Sequence, residues 1–132
     1  MNANILVDTT DLTKEEWLEY RKQGIGGSDV SAILGINKWK SEIEIWITKT
    51  STEPVEQETN EAIEWGNILE PVIRKHFADV TGKPVVEVKA MLQHPEDTFM
   101  LADVDGLTVD DDGNPLEFSD MDELLDKATA IL

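Results

Sequence analysis

Apolar residues recur at three- and four-residue steps through the first eighty positions and then give way to short β-branched runs. Thr13-Lys14-Glu15-Glu16 reads as a capping box and predicts a short helix through Trp17, Leu18 and Arg21. Gly24-Ile25-Gly26-Gly27 breaks it. Ser28 is the expected cap of a second helix, Asp29 to Leu34, which Gly35 closes. Ser41-Glu42-Ile43-Glu44 is another capping box, opening a helix through Ile45, Trp46 and Ile47. Residues 51–59 are polar and predict a loop. A long helix is expected from about Asn60 to Val80, on Ile63, Ile68, Leu69, Val72, Ile73, Phe77 and Val80. Gly82 and Pro84 end it, and Pro71 is expected to kink or divide it.

After Gly82 the pattern is that of strands. Val85 to Val88 is β-branched, and Phe99 to Asp103 and Leu107 to Val109 are further candidates, turning at Asp105-Gly106. Asp110-Asp111-Asp112-Gly113-Asn114 predicts a hairpin turn, and Leu116-Glu117-Phe118 the strand returning from it. Ser119-Asp120-Met121-Asp122 then caps a last helix through Leu124, Leu125, Ala128 and Ile131. The expected fold class is α+β, with N-terminal helices packed on a small mixed or antiparallel sheet. One domain, 1–132, is expected, with a helical part (12–82), a β part (83–118) and a C-terminal helix (119–132).

Composition narrows the class. Hydrophobic residues make up 40% of 132 positions, enough for a core. Without cysteine, neither a disulfide framework nor a thiolate zinc site can form. No apolar run approaches the roughly 18 residues of a membrane helix. The start, MNANILVDTTDLTKEE, lacks the features of a signal peptide. A soluble cytoplasmic protein with no membrane partner is expected.

Charge changes the picture more. The chain carries 28 acidic and 11 basic residues, a formal net charge of −17. Residues 1–50 hold 8 acids and 6 bases, whereas residues 51–132 hold 20 acids and 5 bases. No Lys or Arg occurs between Glu96 and Asp126. A nucleic-acid grip normally needs a basic face. The second half should repel DNA unless cations sit among its carboxylates. The same composition also suits a simple solvated acidic surface.

Four local patterns carry candidate chemistry. Arg21 with Gly24-Ile25-Gly26-Gly27-Ser28-Asp29 offers a guanidinium, a glycine loop and a helix start to an anion, although the segment also suits a plain interhelical loop. Glu70, in Trp65-Gly66-Asn67-Ile68-Leu69-Glu70-Pro71, is a carboxylate among apolar neighbours, or an ordinary solvated helical glutamate. Asp105 sits where a strand meets a turn, where Asp-Gly is also common turn chemistry. Glu117 and Ser119 point to one face of the returning strand. Asp105 and Glu117 flank one predicted hairpin, so a hard cation that wants oxygen ligands could draw on both.

The order of these patterns is similar to the YqaJ viral recombinase family. The resemblance runs through Arg21, Gly24 to Asp29, Ala32-Ile33-Leu34-Gly35, Trp65-Gly66, Leu69-Glu70-Pro71, His94-Pro95, Asp105-Gly106 and Leu116-Glu117. It covers about Thr13 to Glu117. That family resembles lambda exonuclease, of the PD-(D/E)XK nuclease fold, so the resemblance implies a shortened core of that fold. It also implies that Glu70, Asp105 and Glu117 bind a catalytic Mg²⁺ or Mn²⁺. Arg21 and Ser28 would hold the 5′ phosphate of a duplex DNA end, and the activity would be 5′-end trimming in phage recombination, inside a host cell.

The chain departs from the family in two places. The motif Glu-X-Lys is Glu117-Phe118-Ser119 here. Serine cannot supply the charge that activates water and stabilises the transition state, a loss of about 10²–10³-fold in rate. Lys127, on the predicted last helix, is a possible substitute lysine. Elements that follow this motif in the family are also expected to be missing. These departures imply a weak or inactive DNA-end nuclease. The alternative is a non-enzymatic acidic inhibitor or nucleic-acid mimic, anti-CRISPR-like, that binds a basic nucleic-acid-handling protein or nuclease complex and needs no metal. A relic that pairs with other subunits, or forms a homo-oligomer over an exposed sheet edge, is a third reading.

Overall fold

Capping chemistry sets the helix starts in a computed structural model, which describes residues 3–53, 60–109 and 119–132. In chain order the elements are β1 (Asn4–Asp8), α1 (Lys14–Arg21), α2 (Gly27–Ile33), α3 (Glu42–Thr50), α4 (Glu61–Thr81), β2 (Val85–Val86), β3 (Ala90–Gln93), β4 (Leu101–Asp103), β5 (Leu107–Val109), α5 (Met121–Lys127) and β6 (Ala128–Ile131). Two antiparallel three-stranded sheets, ordered β1-β3-β4 and β2-β5-β6, make the fold α+β. The described residues divide into two compact units. One takes those within Ala3–Glu56 and Lys89–Asp103, the other those within Gln57–Val88 and Val104–Leu132. Among the described residues no helix is long and apolar enough to cross a membrane.

In the first unit, both predicted capping boxes close. The Glu16 amide donates to Thr13 Oγ1 at 3.2 Å while the Thr13 amide donates to Glu16 Oε2 at 2.9 Å. Ser41 and Glu44 repeat the exchange at 3.3 and 2.7 Å. The helix α2 corrects the sequence reading. Its cap is Gly26 rather than Ser28, and Ser28 lies inside the first turn. Asp29 decides this, because its carboxylate accepts the Gly26 amide at 3.0 Å and satisfies a donor ahead of the helix.

The sheet of this unit was only partly foreseen. Strand β3 is central, and Ala90, Met91 and Leu92 are all buried. Consecutive strand residues face opposite ways, so both faces are covered and no alternation marks the strand. Strand β1 pairs with it from Asn4↔Gln93 to Asp8↔Ala90, with an irregularity between Ile5 and Val7. Strand β4 begins at Leu101 rather than Phe99. Beside it, Ile25 forms a parallel bridge to Met100, with bonds of 2.7 Å to Phe99 O and 3.0 Å from the Leu101 amide. Gly24 lets the chain approach this closely. A Cβ there would sit 2.5 Å from Phe99 O and 2.7 Å from Leu101 Cγ. Gly24→Ala should therefore cost about 1–3 kcal/mol of stability, read as a lower denaturant midpoint.

In the second unit, α4 runs as one helix through Pro71, so of the expected kink or division the division does not occur. Proline removes one helical hydrogen bond, and ten helical residues on each side maintain the rest. Asn60 Oδ1 caps the start through the Ile63 amide at 3.0 Å, and Gly82, at φ 70°, ends the helix. The strand expected over residues 85–88 is confined to β2, which pairs with β5. Strands β4 and β5, on either side of Asp105-Gly106, pair in different sheets, so that turn does not close a hairpin between them.

The predicted C-terminal helix also stops early, at Lys127. Ala128 to Ile131 instead form β6 against β5. Hydrogen bonds to Thr108 from Thr129 Oγ1 (3.2 Å), and from the Leu132 amide to Gly106 O (2.9 Å), join the ladder. Non-local strand pairing overrides the helical tendency of the alanines here. Leu107, Leu124, Leu125 and Ala128 form the buried centre of this unit. The predicted turn at Asp110 to Asn114, the strand Leu116 to Phe118 with Glu117, and most of the 51–59 loop lie outside the described residues.

Candidate functional site

The first unit gathers a cluster of polar and charged groups around Arg21. Trp17 and Arg21 are one turn apart on α1, and the guanidinium lies 4.9 Å from the indole centroid. Arg21 Nη2 donates to Ser28 Oγ at 2.8 Å. The two residues expected to hold a phosphate are thus brought together. Gly26 makes room for them, since a Cβ there would come within 2.9 Å of Arg21 Nη2. The Arg21 side chain keeps 23% of its surface exposed, so an anion can reach it.

Sequence reasoning missed the groups behind this pair. Asp29 Oδ2 accepts the Gly26 amide at 3.0 Å and Lys49 Nζ at 2.8 Å, with Arg21 Nη2 at 3.9 Å. Lys49 Nζ also donates to Arg21 O at 2.6 Å. Burial alone would raise the Asp29 pKa. The Lys49 and Gly26 hydrogen bonds, with the charges of Lys49 and Arg21, outweigh it and hold the carboxyl below its usual range. Asp103 behaves oppositely. Its residue surface is largely open, but the protein crowding its carboxyl raises the pKa, against the Arg21 charge and a hydrogen bond from the Trp17 side chain. Trp17 was visible one helical turn from Arg21. Lys49 and Asp103 carried no signal, because they arrive from distant elements.

The second unit holds two of the three expected metal ligands. Glu70, on α4, pairs with Arg74 at 3.1 Å, and Arg74 reaches Glu87 at 3.5 Å. Arg74 Cδ lies 3.6 Å from where a Cβ on Gly106 would stand, so it borders the turn that carries Asp105. Asp105 itself is exposed. Glu117 is outside the described residues, and among those described no three His, Cys, Asp or Glu side chains form a metal-binding group. The oxygen donors suit a hard cation, and Glu70, its side chain 37% exposed, shares the Arg74 guanidinium with Glu87.

Ser119 and Lys127 belong to another network. The Ser119 amide and hydroxyl donate to Glu123 Oε2 at 2.7 and 2.8 Å, and Lys127 Nζ donates to Glu123 Oε1 at 2.7 Å. The Lys127 hydrogen bond, followed by the two from Ser119, pulls the Glu123 pKa down to about 2. His94 is also local in its role, its Nδ1 accepting the Glu96 and Asp97 amides in a turn.

The family model of the YqaJ-like viral recombinase domain matches residues 16–128. The uncharacterised protein YqaJ of Bacillus subtilis (strain 168) is 45% identical over 107 residues, which cover 81% of this chain and 34% of that protein. The chain thus spans about a third of that relative's length. No solved structure matches. With residues 16–128, most of its length, matched by the family model, the chain belongs to the YqaJ-like viral recombinase domain family.

Proposed function

We propose that this chain is a DNA-end-binding nuclease domain of the YqaJ type whose hydrolytic step is weak or absent. The carrying observation is the Arg21–Ser28 pair, 2.8 Å apart, with an accessible guanidinium stacked on Trp17. A planar guanidinium beside a hydroxyl donor matches a terminal phosphate. Glu70 and Asp105, with Glu117, would hold a Mg²⁺ or Mn²⁺ ion, which when bound polarises the phosphodiester and acidifies an attacking water. Ser119 stands where the family's lysine is expected, and its hydroxyl is engaged by Glu123. Lys127, the alternative lysine, makes its 2.7 Å bond to the same carboxylate.

Binding of end-labelled duplexes in Mg²⁺ tests the reading. A 5′-phosphorylated end should bind more tightly than a 5′-hydroxyl end. Arg21→Ala should remove roughly tenfold to a hundredfold of that preference. Equal binding of both ends would overturn the assignment. The 20 acids against 5 bases of residues 51–132 favour a second reading, an acidic inhibitor of a basic nucleic-acid-handling protein. Tight, salt-sensitive binding to such a protein, with no grip on DNA ends, would select it.

A further inference from the structure

We propose that Lys49 is a positioning residue for anion capture: it takes up the charge of Asp29 and so leaves the Arg21 guanidinium available to a terminal phosphate. The inference rests on the phosphate-pocket reading and extends it to a residue on α3.

The distances around one oxygen decide the assignment. Asp29 is only 8% exposed, and its Oδ2 meets three donors. Lys49 Nζ at 2.8 Å and the Gly26 amide at 3.0 Å make hydrogen bonds, whereas Arg21 Nη2 at 3.9 Å is beyond that range. Arg21 Nη2 is committed instead to Ser28 Oγ at 2.8 Å. Lys49 is therefore the hydrogen-bonded counter-charge of Asp29, with Arg21 a more distant ion partner at 3.9 Å. A buried carboxylate that lost this partner would seek another cation, and the guanidinium is the one at hand. Its capture would take Arg21 from Ser28 and cancel the charge meant for the ligand.

The local charge balance points the same way. Two carboxylates feel the guanidinium charge: Asp29 of α2, 3.9 Å from Arg21 Nη2, and Asp103 of β4, which also takes a hydrogen bond from the Trp17 side chain. Against them stand Arg21 and Lys49. With both cations present the cluster is formally neutral. Without Lys49 it carries one net negative charge, in a setting less polar than water, and would repel a phosphate. Lys49 has a second hold, donating at 2.6 Å to the Arg21 carbonyl, so α3 also fixes the end of α1.

The test is the ratio of affinities of the full 132-residue chain for 5′-phosphorylated and 5′-hydroxyl duplexes. Lys49→Met should lower that ratio at least about tenfold, and Lys49→Arg should retain most of it. Lys49→Met combined with Asp29→Asn should restore it, because the competing carboxylate goes with its partner. A Lys49→Met ratio equal to wild type overturns the inference. So does a double variant as low as Lys49→Met, which would mark Lys49 as merely structural. Should Lys49→Met unfold, the double variant is compared with the unaltered chain: a matching ratio supports the inference, and one at least about tenfold lower overturns it. If the unaltered chain shows no preference and Arg21→Ala changes nothing, the pocket reading itself fails and this inference with it.

Discussion

Replacing Ser119 with lysine should raise Mg²⁺-dependent trimming of a 5′-phosphorylated duplex by about 10²–10³-fold over the unaltered chain. The expectation follows from what Ser119 lacks. A neutral hydroxyl cannot offset charge building up on a phosphoryl group, whereas a positioned ammonium can. The substitution keeps the Ser119 amide bond to Glu123 and gives up only the hydroxyl bond. Glu123 is the competitor, since its carboxylate already binds Lys127 and would attract a new ammonium. Ser119→Lys with Glu123→Gln should therefore be the more active variant. Asp105→Ala should abolish activity in either background. If end-labelled duplex survives both lysine variants intact, a site complete except for one group is ruled out.

Leu124→Ala should destabilise the second unit by about 2–5 kcal/mol. Leu124 is fully buried on α5, beside Leu125 and Leu107. Its truncation removes apolar contact and leaves a void that packed neighbours fill only in part. The loss is large against the 5–15 kcal/mol that typically stabilises a domain. A thermal melt should show a midpoint lower by on the order of 10 °C. Leu34, 66% exposed in the first unit, supplies the contrast, and Leu34→Ala should stay within about 0.5 kcal/mol of wild type. Equal effects for the two leucines would contradict the packing described for α5.

Local chemistry was legible in the chain wherever partners lie within a helical turn. Thr13 with Glu16 and Ser41 with Glu44 were readable as capping boxes, and both close as written. The apolar spacing of α4 and its Gly82 stop were equally plain. Strand β3 was not, because Ala-Met-Leu is not β-branched and its burial on both faces erases alternation. Strand β1 left only a brief apolar run, Ile5 to Val7, whose pairing partner lies more than eighty residues away. The Ala128–Ile131 segment reads locally as helix and becomes a strand only because β5 offers a free ladder edge.

For the site, the sequence carried the family pattern and marked Arg21 and Ser28 as candidates for one ligand, while the 2.8 Å bond between them belongs to the tertiary structure. Tertiary structure decided the rest of the pocket. It brought Lys49 from α3 to the Asp29 carboxylate and the Arg21 carbonyl, set Asp103 of β4 within the electrostatic reach of Arg21, and turned Asp29 from a neighbour of the capping serine into a buried counter-charge. Electrostatic partners act through space over a few ångströms, whatever their separation along the chain. Local patterns record only the partners that a single helix or turn brings within that reach.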